Sequence, residues 1–408
     1  MNATVSGAHP PWPHRLLDIA EAKRAGHRGA PFRQFVLKVH SRCNLACDYC
    51  YVYEMADQGW QHQPRVMSTA VVRAAVARIA EHVRDHNVQT VKIVLHGGEP
   101  LLAGTAFIED VTRLIRQELP VTTRANLSVQ TNGTRLDRPT LEILARHGIQ
   151  VGVSLDGGAA ATDRHRHYPS GRGSYRAVAR ALALLSEPPY REIYGGLLCT
   201  VSLENDPVET YEALLGFHPP LIDFLLPHGT WSAPPPGRLP DSSTPYADWL
   251  WRVFQRWTTP PGQPARETSI RLFEGIVALL LGEPSTTEVI GLAPADVIVI
   301  DTDGAVKQVD ALYASYDGAA DTGLTIVENA LDEALENPTT VARQMGRLAL
   351  GPMCQECRIR DVCGGGYYPH RYRAGEGFQN PSVFCPDLLA LITAIRDHVA
   401  RAAMRSVR

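Results

Sequence analysis

The pattern of apolar and polar positions predicts a repeating order of strands and helices between residues 32 and 231. Compact runs of Val, Ile and Leu predict buried strands, and apolar residues at helical spacing between them predict amphipathic helices. The predicted strands are residues 35–39, 90–95, 127–131, 149–155, 196–203 and 221–227. The predicted helices are residues 68–83, with Ser68 or Thr69 as the N-cap, and residues 105–118, 140–146, 175–185 and 207–216.

This order predicts the fold class. An alternation of strands and helices favours parallel strands joined by right-handed crossovers. Six strand–helix units are too few for a complete TIM barrel. We therefore expect an α/β fold built on a partial, TIM-like (β/α)6 barrel.

The rest of the chain divides into further predicted parts. The predicted boundaries are 1–30 for a loosely docked N-terminal extension, 31–231 for the barrel, 232–295 for a helical bridge rich in Pro and Ser, and 296–408 for a C-terminal domain. The predicted elements beyond the barrel are helices at 246–257 and 267–282, a strand at 297–301, a turn at Asp303–Gly304 and an amphipathic helix over about 387–403.

Composition and charge exclude several classes of protein. The 408 residues carry a net charge of −3 and are 44% hydrophobic, as in a globular protein. There is no overall basic field that would attract nucleic acid or an anionic membrane. No apolar run approaches the roughly 20 residues that span a bilayer, and the first residues lack the apolar core of a signal peptide. We therefore expect a cytoplasmic protein with no membrane or nucleic-acid partner.

Seven of the eight cysteines fall into two groups that lie about 300 residues apart. Cysteines stay reduced in a protein without an export signal, so grouped cysteines indicate metal ligands before disulfides. Cys199 stands alone and is predicted to be a small buried apolar residue. The two groups are Cys43, Cys47 and Cys50, and Cys354, Cys357, Cys363 and Cys385.

The first group has the spacing C-x3-C-x2-C and directly follows the first predicted strand, where the active sites of barrels form. Three thiolates on one short loop can hold three irons of a [4Fe–4S] cluster, which leaves the fourth iron open to a small chelating molecule. Structural zinc needs four ligands, and His40 is a poor fourth here. We therefore favour an iron–sulfur cluster over zinc.

The loop of residues 43–50 resembles the C-x3-C-x-aromatic-C signature of the radical S-adenosylmethionine (SAM) enzymes. Two further motifs of that family follow in order, each at the end of a predicted strand: the GGEP motif at residues 97–100 and an SxDG segment at residues 154–157. The resemblance implies that SAM binds beside the cluster. The residues implied to contact SAM are Gly97, Gly98 and Glu99 at its amino group, Ser154, Tyr49 against the adenine, and Arg166 at its carboxylate.

For the second group, spacing alone leaves both a zinc site and an iron–sulfur cluster open. The segment resembles the end of a SPASM domain, an extension of radical SAM enzymes that modify peptides. A full SPASM domain carries more cysteines and two auxiliary [4Fe–4S] clusters, whereas Val309 and Tyr367 stand here at two of those cysteine positions. The resemblance therefore implies one auxiliary cluster, held by the four cysteines and suited to electron transfer or to a structural role.

The segments 300–324 and 363–388 resemble the maturases of FxSxx-COOH peptides. Those enzymes join an aromatic side chain to the Cβ atom of a nearby residue in a ribosomally made precursor peptide, which forms a three-residue cyclophane. The resemblance implies a 5′-deoxyadenosyl radical as the hydrogen acceptor, the auxiliary cluster as the electron acceptor, and an electron donor such as flavodoxin or ferredoxin. Asp310 keeps the aspartate of the family's Cys-Asp pair and is the candidate proton acceptor, and a capped-turn carboxylate is the alternative for it.

Two alternatives for the function stay open. The same chemistry could form a thioether, or could oxidise a residue to formylglycine as in sulfatase maturation. A protein of a different class, a zinc-stabilised binding protein without catalysis, would use the cysteines as zinc ligands. For His370, Arg371 and Arg373 we expect pairing near the second cysteine group rather than peptide binding.

Overall fold

A computed structural model describes residues 19–24, 26–238, 243–259, 267–284 and 287–406, so most of the predicted N-terminal extension lies outside the described residues. Its strands are β1 Gln34–His40, β2 Thr90–Gly97, β3 Arg124–Thr131, β4 Gln150–Ser154, β5 Tyr194–Thr200, β6 Leu221–Leu225, β7 Ser269–Ile270, β8 Val297–Ile300, β9 Ala305–Lys307 and β10 Asp321–Thr325. They form one ten-stranded sheet in the order β10-β9-β8-β1-β2-β3-β4-β5-β6-β7.

Helices connect and cover these strands. The α-helices are α1 Ile19–Arg24, α2 Thr69–Asp85, α3 Thr105–Glu118, α4 Arg138–Arg146, α5 Ala159–His165, α6 Tyr175–Leu185, α7 Pro207–Leu215, α8 Pro245–Thr258, α9 Arg271–Leu280, α10 Leu331–Leu335, α11 Pro338–Gln344, α12 Pro352–Gln355, α13 Arg360–Cys363 and α14 Cys385–Ser406. Short 3-10 helices cover Gly59–His62, Pro100–Ala103, Tyr190–Ile193, Asp310–Ala314, Gly346–Ala349 and Tyr368–Arg371.

Strands β1 to β6 lie side by side in chain order, and each pairs in parallel with the next. Parallel neighbours need a crossover between them, which α2, α3, α4, α6 and α7 supply. The predicted α/β fold with a partial barrel is therefore confirmed. Cys199 lies in β5 and is fully buried, as the sequence predicts.

Helix α2 illustrates how local sequence sets an element. Ser68 is its N-cap, and the Ser68 hydroxyl accepts a hydrogen bond from Val71 N–H at 3.2 Å. Val72, Val76 and Ile79 recur at helical spacing and are buried against the sheet side of the helix. The predicted cap is therefore confirmed.

The sheet continues beyond the predicted barrel. Strand β7 pairs with β6, and β8 pairs in parallel with β1, so segments of the predicted bridge and of the predicted C-terminal domain extend the same sheet. Gly304, with φ of +92°, turns β8 into the antiparallel β9 as predicted. The predicted domain boundaries stay predictions.

Several elements differ from the sequence-based expectation, and three of them show why. The predicted helix 267–282 begins only at Arg271, because residues 269–270 pair with β6. Strand β5 ends at Thr200, where the expectation extended it to residue 203. Helix α5 was not predicted, since its sequence AAATDRH has no apolar periodicity.

The C-terminal helix α14 is slightly longer than predicted and packs against α8 and α9. In the described part of the chain, none of the helices combines the length and the hydropathy that crossing a membrane requires.

Candidate active site

A cavity of about 630 Å³ runs along the inner face of the barrel. It extends from Gln34 and Lys92, near the starts of β1 and β2, to the loop that follows β1. Most residues of the first predicted site line this cavity together: Cys43, Cys47, Cys50, Tyr49, Gly97, Gly98, Ser154, Arg166 and Asp310. The structure thus brings motifs from four separate chain segments to one space.

The cysteine loop of residues 43–50 is folded on itself at the cavity wall. Cys50 N–H donates to the Cys47 carbonyl oxygen at 3.1 Å, and Leu45 N–H donates to Cys43 Sγ at 3.4 Å. Burial raises the pKa of Cys43 and of Cys47 to about 11. The free thiols are therefore protonated at neutral pH, and a metal that binds them must displace their protons.

The glycines of the GGEP motif let the end of β2 approach the chain after β1. A Cβ atom on Gly97 would overlap the His40 carbonyl oxygen, and one on Gly98 would lie 2.6 Å from the Arg42 carbonyl oxygen. This approach allows Gly98 N–H to donate to the His40 carbonyl at 2.9 Å and Glu99 N–H to the Arg42 carbonyl at 3.0 Å. The two glycines thereby fix the start of the cysteine loop.

Glu99 is fully buried, and its carboxylate is bound by groups of the protein. Its Oε1 accepts from Leu101 N–H at 3.0 Å and from the Thr131 hydroxyl at 2.7 Å, and its Oε2 accepts from Asn132 N–H at 2.8 Å. Burial raises the pKa of Glu99, although these hydrogen bonds act in the opposite direction. Asn132 Nδ2 also reaches Cys43 Sγ at 3.5 Å, so Glu99 supports the cysteine loop. Its contact with SAM stays a prediction.

Arg166 lies beside the cysteine loop and is only 8% exposed. Its Nη1 donates to the Tyr49 hydroxyl at 2.8 Å, and that hydroxyl donates to Asp156 Oδ2. Its Nε is buried and has no hydrogen-bond partner among the described residues. A buried guanidinium with an unpaired N–H suits an anionic group, as the carboxylate of SAM would provide. Ser154 also faces this space, and Gln130 Nε2 donates to its hydroxyl at 3.0 Å.

The second group of cysteines also comes together. Cys354 lies in α12, Cys363 ends α13 and Cys385 begins α14. Burial, and then the nearby Cys385 and Cys354, raise the pKa of Cys363 to about 12. Burial, and then Cys354 and Cys357, raise the pKa of Cys385 to about 11. These thiols therefore lie near one another, and a metal centre shared by all four cysteines stays a prediction.

Arg371 and Arg373 make different contacts. Arg371 is buried, its Nη2 donates to the Gly364 carbonyl oxygen at 2.6 Å, and its charge favours the thiolate of Cys354 against the effect of burial. Arg373 instead forms an ion pair with Glu376 at 3.1 Å. The expected pairing near the cysteines therefore holds for Arg371, whereas Arg373 lies on the surface.

Asp310 lines the cavity at the start of a 3-10 helix. Its Oδ2 accepts from the Tyr51 hydroxyl at 3.2 Å, and lies 3.7 Å from Lys38 Nζ and 3.8 Å from His96 Nδ1. Burial acts to raise the pKa of Asp310, but Lys38, His96 and Tyr51 outweigh it and hold the pKa below its ordinary value. The carboxylate is therefore charged at neutral pH and can accept a proton.

Aromatic and histidine rings occupy the wall near Asp310. The ring of Tyr367 lies 6.2 Å from that of His228 and 5.4 Å from that of His370, measured between centroids. Burial lowers the pKa of His228 to about 4 and also lowers the pKa of His370, so both are neutral at physiological pH. Val309 packs in an apolar cluster with Tyr368 and other side chains. Neither position 309 nor position 367 offers a thiol.

Comparison with known proteins decides the class. The family model described as the radical SAM superfamily matches residues 37–209, which run from β1 to α7 and include the first cysteine group and both glycine motifs. The chain contains a radical SAM domain. Such a domain indicates an enzyme and implies a [4Fe–4S] cluster with SAM. The three thiols and the unpaired Nε of Arg166 fit these two groups.

Relatives of this radical SAM protein are anaerobic sulfatase-maturating enzymes. The serine-type enzyme of Klebsiella aerogenes is 31% identical over 157 residues, which are 38% of this chain and only 37% of that protein's length. The serine-type enzyme of Bacteroides thetaiotaomicron is 24% identical over 377 residues, 87% of each chain. The solved structure of anSMEcpe with bound AdoMet and the Kp18Cys peptide superposes with a TM-score of 0.77 at 22% identity, covering 91% of this chain and 99% of that one. The radical SAM fold is thereby confirmed.

Sequence reasoning missed the groups that surround Asp310. Lys38 and His96 are register partners on β1 and β2, so they share one face of the sheet. A polar residue at matching positions of two otherwise apolar parallel strands is a signal that could have found them. Tyr51 and His228 carry no such signal, because each lies in a loop.

Proposed function

We propose that the protein is a peptide maturase that removes two hydrogen atoms from a ribosomally made precursor peptide, starting at a Cβ–H bond. One observation carries this proposal. A single cavity contains both the three thiols of the radical SAM loop and Asp310, a buried carboxylate that is charged at neutral pH. A hydrogen acceptor and a proton acceptor can therefore act on one peptide bound in this cavity.

In this proposal Cys43, Cys47 and Cys50 hold a [4Fe–4S] cluster, and Arg166 binds the carboxylate of SAM through its unpaired Nε–H. Bound together, the cluster and SAM supply a 5′-deoxyadenosyl radical that abstracts hydrogen. The Tyr49 hydroxyl is bound by Arg166 and by Asp156, which fixes the orientation of this ring within the cysteine loop. The protein thereby orients SAM before the peptide binds.

Asp310 is proposed to accept the proton that the oxidised peptide releases. Lys38 and Tyr51 both approach Oδ2, whereas Oδ1 accepts no hydrogen bond from the described residues. One oxygen therefore anchors the carboxylate, and the other stays available. The contacts of Oδ2 also keep the carboxylate ionised before the reaction.

The second cysteine group is proposed to hold an auxiliary [4Fe–4S] cluster with four protein ligands. The chemistry that such a cluster would supply is electron transfer. Arg371, buried beside the thiolates, offsets part of their negative charge. An external electron donor such as flavodoxin or ferredoxin belongs to the same proposal, since reductive cleavage of SAM needs an electron.

Two products fit this chemistry. The resemblance to the FxSxx-COOH maturases favours a carbon–carbon crosslink between an aromatic side chain and a Cβ atom, which closes a three-residue cyclophane. The similarity to serine-type sulfatase-maturating enzymes favours oxidation of a serine to formylglycine as the second candidate. Both reactions remove two hydrogen atoms from the peptide, so product mass alone does not separate them.

The test is an anaerobic incubation of the reconstituted protein with SAM, a reductant and short precursor peptides found by searching the genome region around its gene. Peptide-dependent 5′-deoxyadenosine and a product lacking two hydrogens are expected. A crosslink resists hydrazine reagents and suppresses backbone fragments within the ring, whereas formylglycine reacts with hydrazine and fragments normally. A product without the loss of two hydrogens would contradict the proposal.

A further inference from the structure

A separate group of two histidines and one aspartate lies on the outside of the barrel, where α2 meets α10. His82 and His86 are about one turn apart on α2, and Asp332 lies in α10. His82 Nδ1 is 2.5 Å from Asp332 Oδ1, and His86 Nε2 is 2.9 Å from Asp332 Oδ2. One ligand atom from each of the three residues lies within 4.8 Å of the other two.

Hydrogen bonds alone leave a buried nitrogen of this group unsatisfied. If His82 Nδ1 donates to Asp332, Nε2 of the neutral ring becomes an acceptor. That Nε2 is buried without a partner, and the backbone group that interacts with the ring is the Phe32 carbonyl, which is itself an acceptor.

A metal ion removes this conflict. With the metal on Nδ1, the ring of His82 carries its proton on Nε2, and the Phe32 carbonyl that interacts with this ring is an acceptor of the kind it needs. Metal-bound histidines commonly donate their second N–H to a backbone carbonyl in this way. Two histidines at positions i and i+4 of one helix, completed by a carboxylate from another segment, form a ligand set typical of zinc.

We propose that His82, His86 and Asp332 bind one divalent transition-metal ion, for which Zn²⁺ has the matching chemistry. Imidazole ligands disfavour Mg²⁺ and Ca²⁺. The His82 side chain is 1% exposed, whereas those of His86 and Asp332 are 28% and 43% exposed. Water can therefore complete the coordination on the outer side. The ion would hold the segment that follows β10 against the barrel. This role would not depend on the reaction in the cavity.

Zinc binding by the anaerobically reconstituted protein, whose cysteines carry iron, tests this site. After incubation with Zn²⁺ and desalting, the wild type should retain about one zinc ion per chain at unchanged iron content. His86→Ala and Asp332→Asn should each weaken Zn²⁺ binding by at least about tenfold. His62→Ala, which removes an exposed histidine outside this group, should bind zinc as the wild type does.

Zinc K-edge absorption identifies the ligands directly. Nitrogen and oxygen neighbours at about 2.0–2.1 Å are expected, and sulfur neighbours at about 2.3 Å would overturn the proposal because the zinc would then sit on cysteines. Equal zinc content in the wild type and in His86→Ala would overturn it too. Added Zn²⁺ should raise the melting temperature of the wild type and leave that of His86→Ala unchanged, with both variants folded by circular dichroism.

Discussion

Asp310 is the residue on which the proposed oxidation depends most directly. Asp310→Asn should still cleave SAM and abstract hydrogen, but product formation should fall by about 10²- to 10⁴-fold because an amide cannot accept the proton. With peptide deuterated at Cβ, the label should appear in 5′-deoxyadenosine while product mass spectra show little oxidised peptide. Asp317→Asn, an exposed carboxylate close by in sequence, is the matched control. Undiminished product formation would remove Asp310 from the reaction.

A single substitution tests whether Glu99 stabilises the protein around the cysteine loop or contacts SAM. Its carboxylate accepts three hydrogen bonds from the protein. In Glu99→Gln the side-chain NH2 group would face at least one of the groups that donate these hydrogen bonds, so that hydrogen bond would be lost. Glu99→Gln should therefore lower the stability of the SAM-free protein by about 1–3 kcal/mol, seen as a lower melting temperature. The exposed Glu54→Gln serves as the control. Unchanged melting combined with weaker SAM binding would instead support the direct contact with SAM.

At the scale of elements, the contact between the end of β2 and the chain after β1 positions the cysteine loop. In Gly98→Ala the new Cβ would lie 2.6 Å from the backbone of Arg42, so the two segments must separate. We expect this variant to lose the iron of the first cluster, measured as a fall of about half in iron content after reconstitution. Gly158→Ala, whose Cβ would meet no atom closer than 3.8 Å, should keep its iron. Full iron content in Gly98→Ala would contradict this role of the glycine.

Elements with a clear hydrophobic pattern in the sequence were predictable, whereas elements that form only through tertiary contacts were not. Strands β1 to β6 each contain buried apolar residues, either as a run or in alternation, and α2 has a capped amphipathic pattern, so each carries its own signal. Strand β7 spans two residues and exists only by pairing with β6. The site divides in the same way: the cysteine loop and the GGEP motif are contiguous in sequence, whereas Lys38, His96 and Asp310 meet only because of sheet register and a distant loop.

At the scale of the whole molecule, the two cysteine groups predict the iron content. Anaerobic reconstitution should give about eight irons per chain, and replacement of Cys43, Cys47 and Cys50 by Ala should leave about four. Cys199→Ala, which alters a lone buried cysteine, should retain the wild-type value. About twelve irons with matching sulfide would mean that a further auxiliary cluster exists.

The place of β8 beside β1 has a consequence for how the protein is made. A ribosome releases β1 and β2 early, but the second neighbour of β1 emerges only with residues 297–300. Until then the nascent chain carries an open apolar strand edge next to three thiols, a state prone to aggregation and oxidation. Residues 37–209, which the family model matches, lack the strand that covers this edge of β1. We expect a fragment of residues 31–231 to aggregate on expression while the full chain stays soluble, in which case iron would be delivered only after β8 has been made.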